Sequence, residues 1–174
     1  YIHSLAYLEI AELLHYSVLE LNQNSKISYN FIDINPKVKN IIFGAHLLND
    51  DMINSIPSNT IIFNTEQIES INEIWKRRIL LLASKGIVFW DYSNHNLDLL
   101  HTKLNVKGRL FEIGFQSNLQ RIKINDNKEV DVLFYGSLNN RREKIINSLL
   151  KNNVKVKCLF GVYGKDRDDW IGKS

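Results

Sequence analysis

Leu5, Leu8, Ile10, Leu13, Leu14, Val18 and Leu21 recur at helical spacing, with Glu9, Glu12 and Glu20 largely on other faces. The chain is therefore expected to begin with an amphipathic helix of about five turns, broken by Asn22, Asn24 and Ser25. Short apolar runs follow at residues 27–34, 40–43, 60–63 and 87–90, each closed by polar or small residues. They are too short for helices and rich in β-branched and aromatic types, so they read as strands. Between them, Ile71, Ile74, Ile79 and Leu82 lead to Lys85-Gly86, a helix end, and Leu97, Leu100 and Leu104 follow Ser93, a helix cap. Residues 106–115 give one more strand, interrupted by Gly108 and Gly114.

From 116 to 129 the pattern fades into polar residues, a linker. A nearly continuous apolar run from Val130 to Tyr135 is next, then Gly136, then a helix with Ile145, Ile146, Leu149 and Leu150 on one face. Residues 154–160 supply another strand, and Gly161 and Gly164 precede a short helix over 166–171. Alternation of strand and helix throughout predicts an α/β fold with mostly parallel sheets. A Rossmann-like domain is expected over 1–120, and a linker with the start of a second such domain over 121–174. With one strand–helix–strand and a helix start, that second domain is expected to be truncated.

Composition narrows the classes. The 174 residues are 44% hydrophobic and 24% charged, ordinary for a soluble globular protein, and no apolar stretch approaches the roughly 20 residues of a membrane span. The net charge of +3 is mild and the cations are scattered except near residues 141–157, which does not single out nucleic acid as a partner. The single cysteine, Cys158, lies in an apolar run and reads as a small buried hydrophobe. With no disulfide framework, a reducing, cytoplasmic setting is expected.

Candidate chemistry sits at the strand ends, because ligands of open α/β sheets bind beyond the carboxyl ends of the strands. These positions hold His46, then Asn64, Glu66 and Gln67, then Asp91 and Tyr92. Each has a plainer use: His46 capping a helix or pairing with Asp50 or Asp51, Glu66 and Asp91 capping helices, Asp91 closing a turn. In the second unit Ser137, Asn139 and Asn140 offer acceptors for a helix start, and Arg141, Arg142 and Lys144 place positive charge where the helix dipole is already positive. An anionic ligand would relieve that conflict; the alternative is a solvated basic face. No metal-ligand spacing, nucleophile elbow or Walker-type loop is present.

Five blocks together resemble the GT-B glycosyltransferases, in a bacterial group with a family-one type C-terminal domain. They are N-I-I-F-G-A-H-L-L at 40–48, I-I-F-N-T-E-Q at 61–67, F-W-D-Y-S at 89–93, D-V-L-F-Y-G-S-L-N-N-R-R at 131–142 and L-F-G-V-Y-G-K-D-R-D at 159–168. The resemblance implies two Rossmann-like domains facing a cleft, the first holding the acceptor and the second the nucleotide-sugar donor. It implies transfer of a sugar to an acceptor hydroxyl on a glycan, lipid or protein, without an obligatory metal or other cofactor, and is compatible with peripheral membrane contact of a longer protein. It further implies that Gly136 and Ser137 approach the donor diphosphate and that Arg141 or Arg142 neutralises it. His46 and Glu66, with Asp91 behind them, become the acceptor-side catalytic candidates. The family's acidic donor-gripping residue would lie beyond Ser174, so the isolated chain is expected to be inactive or nearly so. The alternative function is a non-enzymatic flavodoxin-like or receiver-like binding module, and a third is a basic RNA-binding domain.

Overall fold

The computed structural model describes residues 5–174. The chain divides into two compact units, Tyr1–Gln116 and Ser117–Ser174. Both are α/β with parallel strands.

The first unit opens with α1 (Leu8–Glu20), which buries Leu13 and Leu14. Its sheet comprises β1 (Asn40–Phe43), β2 (Thr60–Asn64), β3 (Val88–Asp91) and β4 (Gly108–Leu110), parallel and in sequential order. The connecting helices are α2 (Asp50–Ser55), α3 (Glu73–Ser84) and α4 (Asn94–Leu104). Crossovers of this kind are nearly always right-handed, so three successive ones in one direction put their helices on one face. The main core agrees: Ile53 of α2, Trp75, Ile79 and Leu82 of α3, and Leu100 and Leu104 of α4 cluster with Ile62 and Phe89. Side chains alternate along a strand, and the neighbouring positions Phe43 and Phe63 stack at 5.0 Å between ring centres. Phe111 continues that aromatic row between Phe63 and Trp90, 5.3 Å from each. A sheet in the order 1-2-3-4 has no strand-order reversal among the described residues.

Two expected strands are corrected. Residues 27–34 form no strand: they contain a 3-10 turn at Phe31–Asp33, in which Ser28 donates to the Asp33 carboxylate and accepts from the Asn30 amide. Such local side-chain bonds compete with a sheet ladder. The strand expected over 106–115 shrinks to Gly108–Leu110, with Phe111 N–H adding one last bond to the Asp91 carbonyl at 2.8 Å. A Cβ at Gly108 would lie 2.5 Å from Leu97 Cδ2, so any larger residue there would push the end of the Leu97 side chain aside.

The second unit contains β5 (Val132–Tyr135), α5 (Asn140–Lys151), β6 (Val156–Leu159) and α6 (Lys165–Gly172). The strands pair parallel, Val132 opposite Val156 and Tyr135 opposite Leu159. The expected linker is irregular but tied down: Asn125 N–H donates to the Gly172 carbonyl and Glu129 N–H to the Lys173 carbonyl, at 2.8 and 2.9 Å. This apolar layer is thin. No residue of α5 is fully buried, Ile145 and Leu150 are half exposed, and a cavity of about 140 Å³ opens among Val132, Phe134, Ile145, Leu149 and Val156. Cys158 is accordingly only half-buried, not the buried hydrophobe expected. No helix among the described residues is long and apolar enough to cross a membrane.

Candidate functional site

Three parallel strands in register end together, so their loops share one edge. Phe43 stands opposite Phe63, and Asn64 opposite Asp91. After β1 the chain turns at Gly44, whose φ of +65° favours glycine, and whose Cβ would meet the Tyr7 ring at 2.8 Å. The turn delivers His46, in a 3-10 turn at Ala45–Leu47. After β2, Asn64 is followed by Thr65 and Glu66. His46 Nε2 and Glu66 Oε1 lie 3.3 Å apart, with side chains 20% and 41% exposed. The structure thus brings together two of the three acceptor-side candidates. The contact is with Glu66, and it is Asn49 that caps α2, accepting from Met52 N–H at 2.8 Å. The Trp75 ring stands edge-on to His46, 6.1 Å between centres. Two buried polar atoms border the pair without a hydrogen-bond partner, Thr65 Oγ1 and Trp75 Nε1.

The third candidate occupies a different place. Asp91 is completely buried, and its carboxylate accepts from Asn64 Nδ2 at 2.7 Å, from Asn96 Nδ2 at 3.0 and 3.2 Å, and from Ser93 N–H at 2.8 Å. It closes the turn into α4, one of the plainer uses foreseen, and has no solvent-exposed surface. Ser93 caps that helix as expected, accepting from Asn96 N–H at 3.3 Å.

The His46 turn is also held from α3. Arg78 Nη1 donates to the His46 carbonyl at 3.2 Å, and Arg78 Nε donates to Asp50 at 2.8 Å. Arg77 joins the same carboxylate at 2.6 Å. Hydrogen bonds from Arg78, then from Arg77, hold the Asp50 carboxyl below its ordinary range, against a smaller opposing effect of desolvation. A carboxyl with a lowered folded-state pKa contributes stability that is full above its unfolded value, about 3.9, and is lost as pH falls through the folded value. Melting temperature measured against pH is therefore expected to show Asp50→Asn less stable than wild type near neutrality, with the gap closing below about pH 4. A gap independent of pH would remove Asp50's charge from the account.

In the second unit, β5 runs into Gly136, whose φ of +132° again favours glycine and whose N–H donates to the Leu159 carbonyl at 3.2 Å. Nothing lies within 4 Å of a Cβ placed there, so the turn is open. Of the three residues able to cap α5, Asn139 does so, accepting from Arg142 N–H at 3.0 Å. Gly136, Ser137, Arg141 and Arg142 are all exposed. The two arginines differ. Arg142 turns back, its Nη1 donating to the Ser137 carbonyl and its guanidinium lying 5.8 Å from the Phe134 ring centre, which departs from a cation reaching outward for phosphate. No ion pair is found for Arg141 among the described residues. Sequence reasoning missed Asn96 and Tyr7, and named Asn64 only as a strand-end residue; the signal available was an asparagine closing the apolar run of β2 and another in the first turn after the Ser93 cap. Among the described residues no three His, Cys, Asp or Glu side chains are grouped to hold a metal ion.

No protein-family profile matches the chain, and no solved structure does. The uncharacterized protein L138 of Acanthamoeba polyphaga mimivirus is 29% identical over 157 residues, covering 83% of this chain and 16% of that protein. The chain thus spans about one sixth of the length of the curated relative it matches.

Proposed function

We propose that the chain belongs to a glycosyltransferase that moves a sugar from a nucleotide-sugar donor to an acceptor hydroxyl, its first unit serving the acceptor and its second the donor. The observation that carries this reading is the half-exposed His46–Glu66 pair at the carboxyl edge of the first sheet. An imidazole and a carboxylate in contact form an acid–base unit able to take a proton from a hydroxyl as it attacks a sugar carbon. The nucleotide leaves as the sugar bond breaks, and the diphosphate needs positive potential at that moment. The open Gly136 turn, the start of α5 and the exposed Arg141 supply it. Arg142 has a shaping role, fixing the Ser137 carbonyl so that the turn keeps its form.

Titration of nucleoside diphosphates and nucleotide sugars tests the donor side. Replacing Arg141 and Arg142 together with alanine is expected to weaken binding by about 10- to 100-fold, the loss of one or two hydrogen bonds to a charged group. Unchanged affinity in the double variant would remove the phosphate site.

A further inference from the structure

Glu66, one member of the acceptor-side pair, stands in an irregular segment after β2, yet that segment is held by a buried polar network from three elements. The Glu66 carbonyl accepts from Asn64 Nδ2 at 2.7 Å and from Asn96 Nδ2 at 3.0 Å. Both amide groups also donate to the Asp91 carboxylate, Asn64 at 2.7 Å and Asn96 at 3.0 Å. The same asparagines accept in return: Asn64 Oδ1 from Glu66 N–H at 3.4 Å, Asn96 Oδ1 from Ile68 N–H at 3.1 Å. Asp91, Asn64 and Asn96 are respectively 0%, 2% and 4% exposed. Asp91 ends β3, Asn64 ends β2 and Asn96 lies in the first turn of α4, so the loop is gripped from two strand ends and a helix.

Burying a carboxylate costs free energy unless it is fully hydrogen-bonded, and apolar residues of similar size would serve stability as well or better. The network is nevertheless satisfied, and three of its bonds fall on the backbone of one residue, Glu66, whose side chain meets His46. We propose that Asp91, Asn64 and Asn96 are positioning residues that hold Glu66 against His46. The asparagine amides turn their hydrogens toward the Glu66 carbonyl because Asp91, which can only accept, fixes their orientation. This inference rests on the acceptor-side reading of the pair, but the geometry it describes can be tested without activity.

The test uses Asp91→Asn and the milder Asn96→Ser. Asp91→Asn replaces one accepting oxygen by an NH2 group that faces donors. Three readouts are taken on each variant. Amide exchange at Glu66 and Ile68 is expected to quicken about tenfold or more, the consequence of losing hydrogen bonds to a buried charged group. The His46 imidazole ¹⁵N resonances are expected to move toward those of Glu66→Gln, which has lost the carboxylate. In the full-length protein, transfer from a nucleotide-sugar panel is expected to lose kcat with donor KM unchanged. Core methyl resonances of Ile53 and Ile79 report whether the fold is kept. A folded variant with fast loop exchange but unmoved His46 resonances would overturn the proposal, and so would unfolding of both variants, since the network would then be part of the core alone. Should wild type neither bind nor consume any nucleotide sugar, the transferase reading fails, while the exchange and ¹⁵N readouts still decide the clamp.

Discussion

Removing either member of the acceptor-side pair is expected to lower sugar transfer by about 10²- to 10⁴-fold, the range found for general acid–base groups. His46→Ala and Glu66→Ala should each reach it, because the two side chains touch at 3.3 Å and work as one unit. The double variant is then expected to be little worse than either single one, as holds for groups that act together. Donor affinity should stay near wild type, since the groups assigned to the diphosphate lie in the other unit. Steady-state kinetics on the full-length protein check all three points. Additive losses would mean two independent roles, and wild-type turnover in both single variants would end the catalytic assignment.

The second large effect concerns the frame that holds this edge. Phe89→Ala is expected to cost about 3–5 kcal/mol of stability, the range for truncating a buried aromatic side chain. Phe89 is completely buried on β3, opposite Ile62 of β2 and Gly108 of β4. Loop closure onto its space is blocked on both sides by paired strands, so a cavity would remain. Denaturant unfolding followed by tryptophan fluorescence, from Trp75 and Trp90 in the first unit and Trp170 in the second, measures the loss. Tyr135→Ala in the second unit, where the side chain is half exposed, provides a contrast and should cost far less. Equal losses at the two positions would mean that the burial described for the first sheet is wrong.

Much of the frame can be read from residue order. The runs at 40–43, 60–63 and 87–90 are strands within a residue of where periodicity puts them, because each is a short apolar stretch with polar residues on both sides. Ser93 and Gly86 work as cap and helix stop for purely local reasons. Residues 27–34 mislead because their apolar side chains alternate like a strand, while Ser28, Asn30 and Asp33 satisfy the backbone locally instead. The strand-end position of His46 and Glu66 follows from the same order, but their contact does not. It depends on Gly44 turning left-handed and on Arg78, 32 residues away, gripping the His46 carbonyl. Asp91 reads as a strand-end acid because it follows an apolar run. Its burial is set by Asn64, 27 residues earlier, and by Asn96, and no local pattern announces such a pairing. Arg142 likewise reads as a free cation until the Ser137 carbonyl and the Phe134 ring are placed beside it.

The measurement that bears most directly on the whole reading is mass spectrometry of nucleotides after the full-length protein is incubated with uridine, guanosine, adenosine and thymidine diphosphate sugars together with a panel of glycan, lipid and protein acceptors. The account predicts that one of these donors is consumed, with nucleoside diphosphate released in equal amount, and that Glu66→Ala abolishes the consumption. All donors recovered intact, or consumption unaffected by Glu66→Ala, would contradict it.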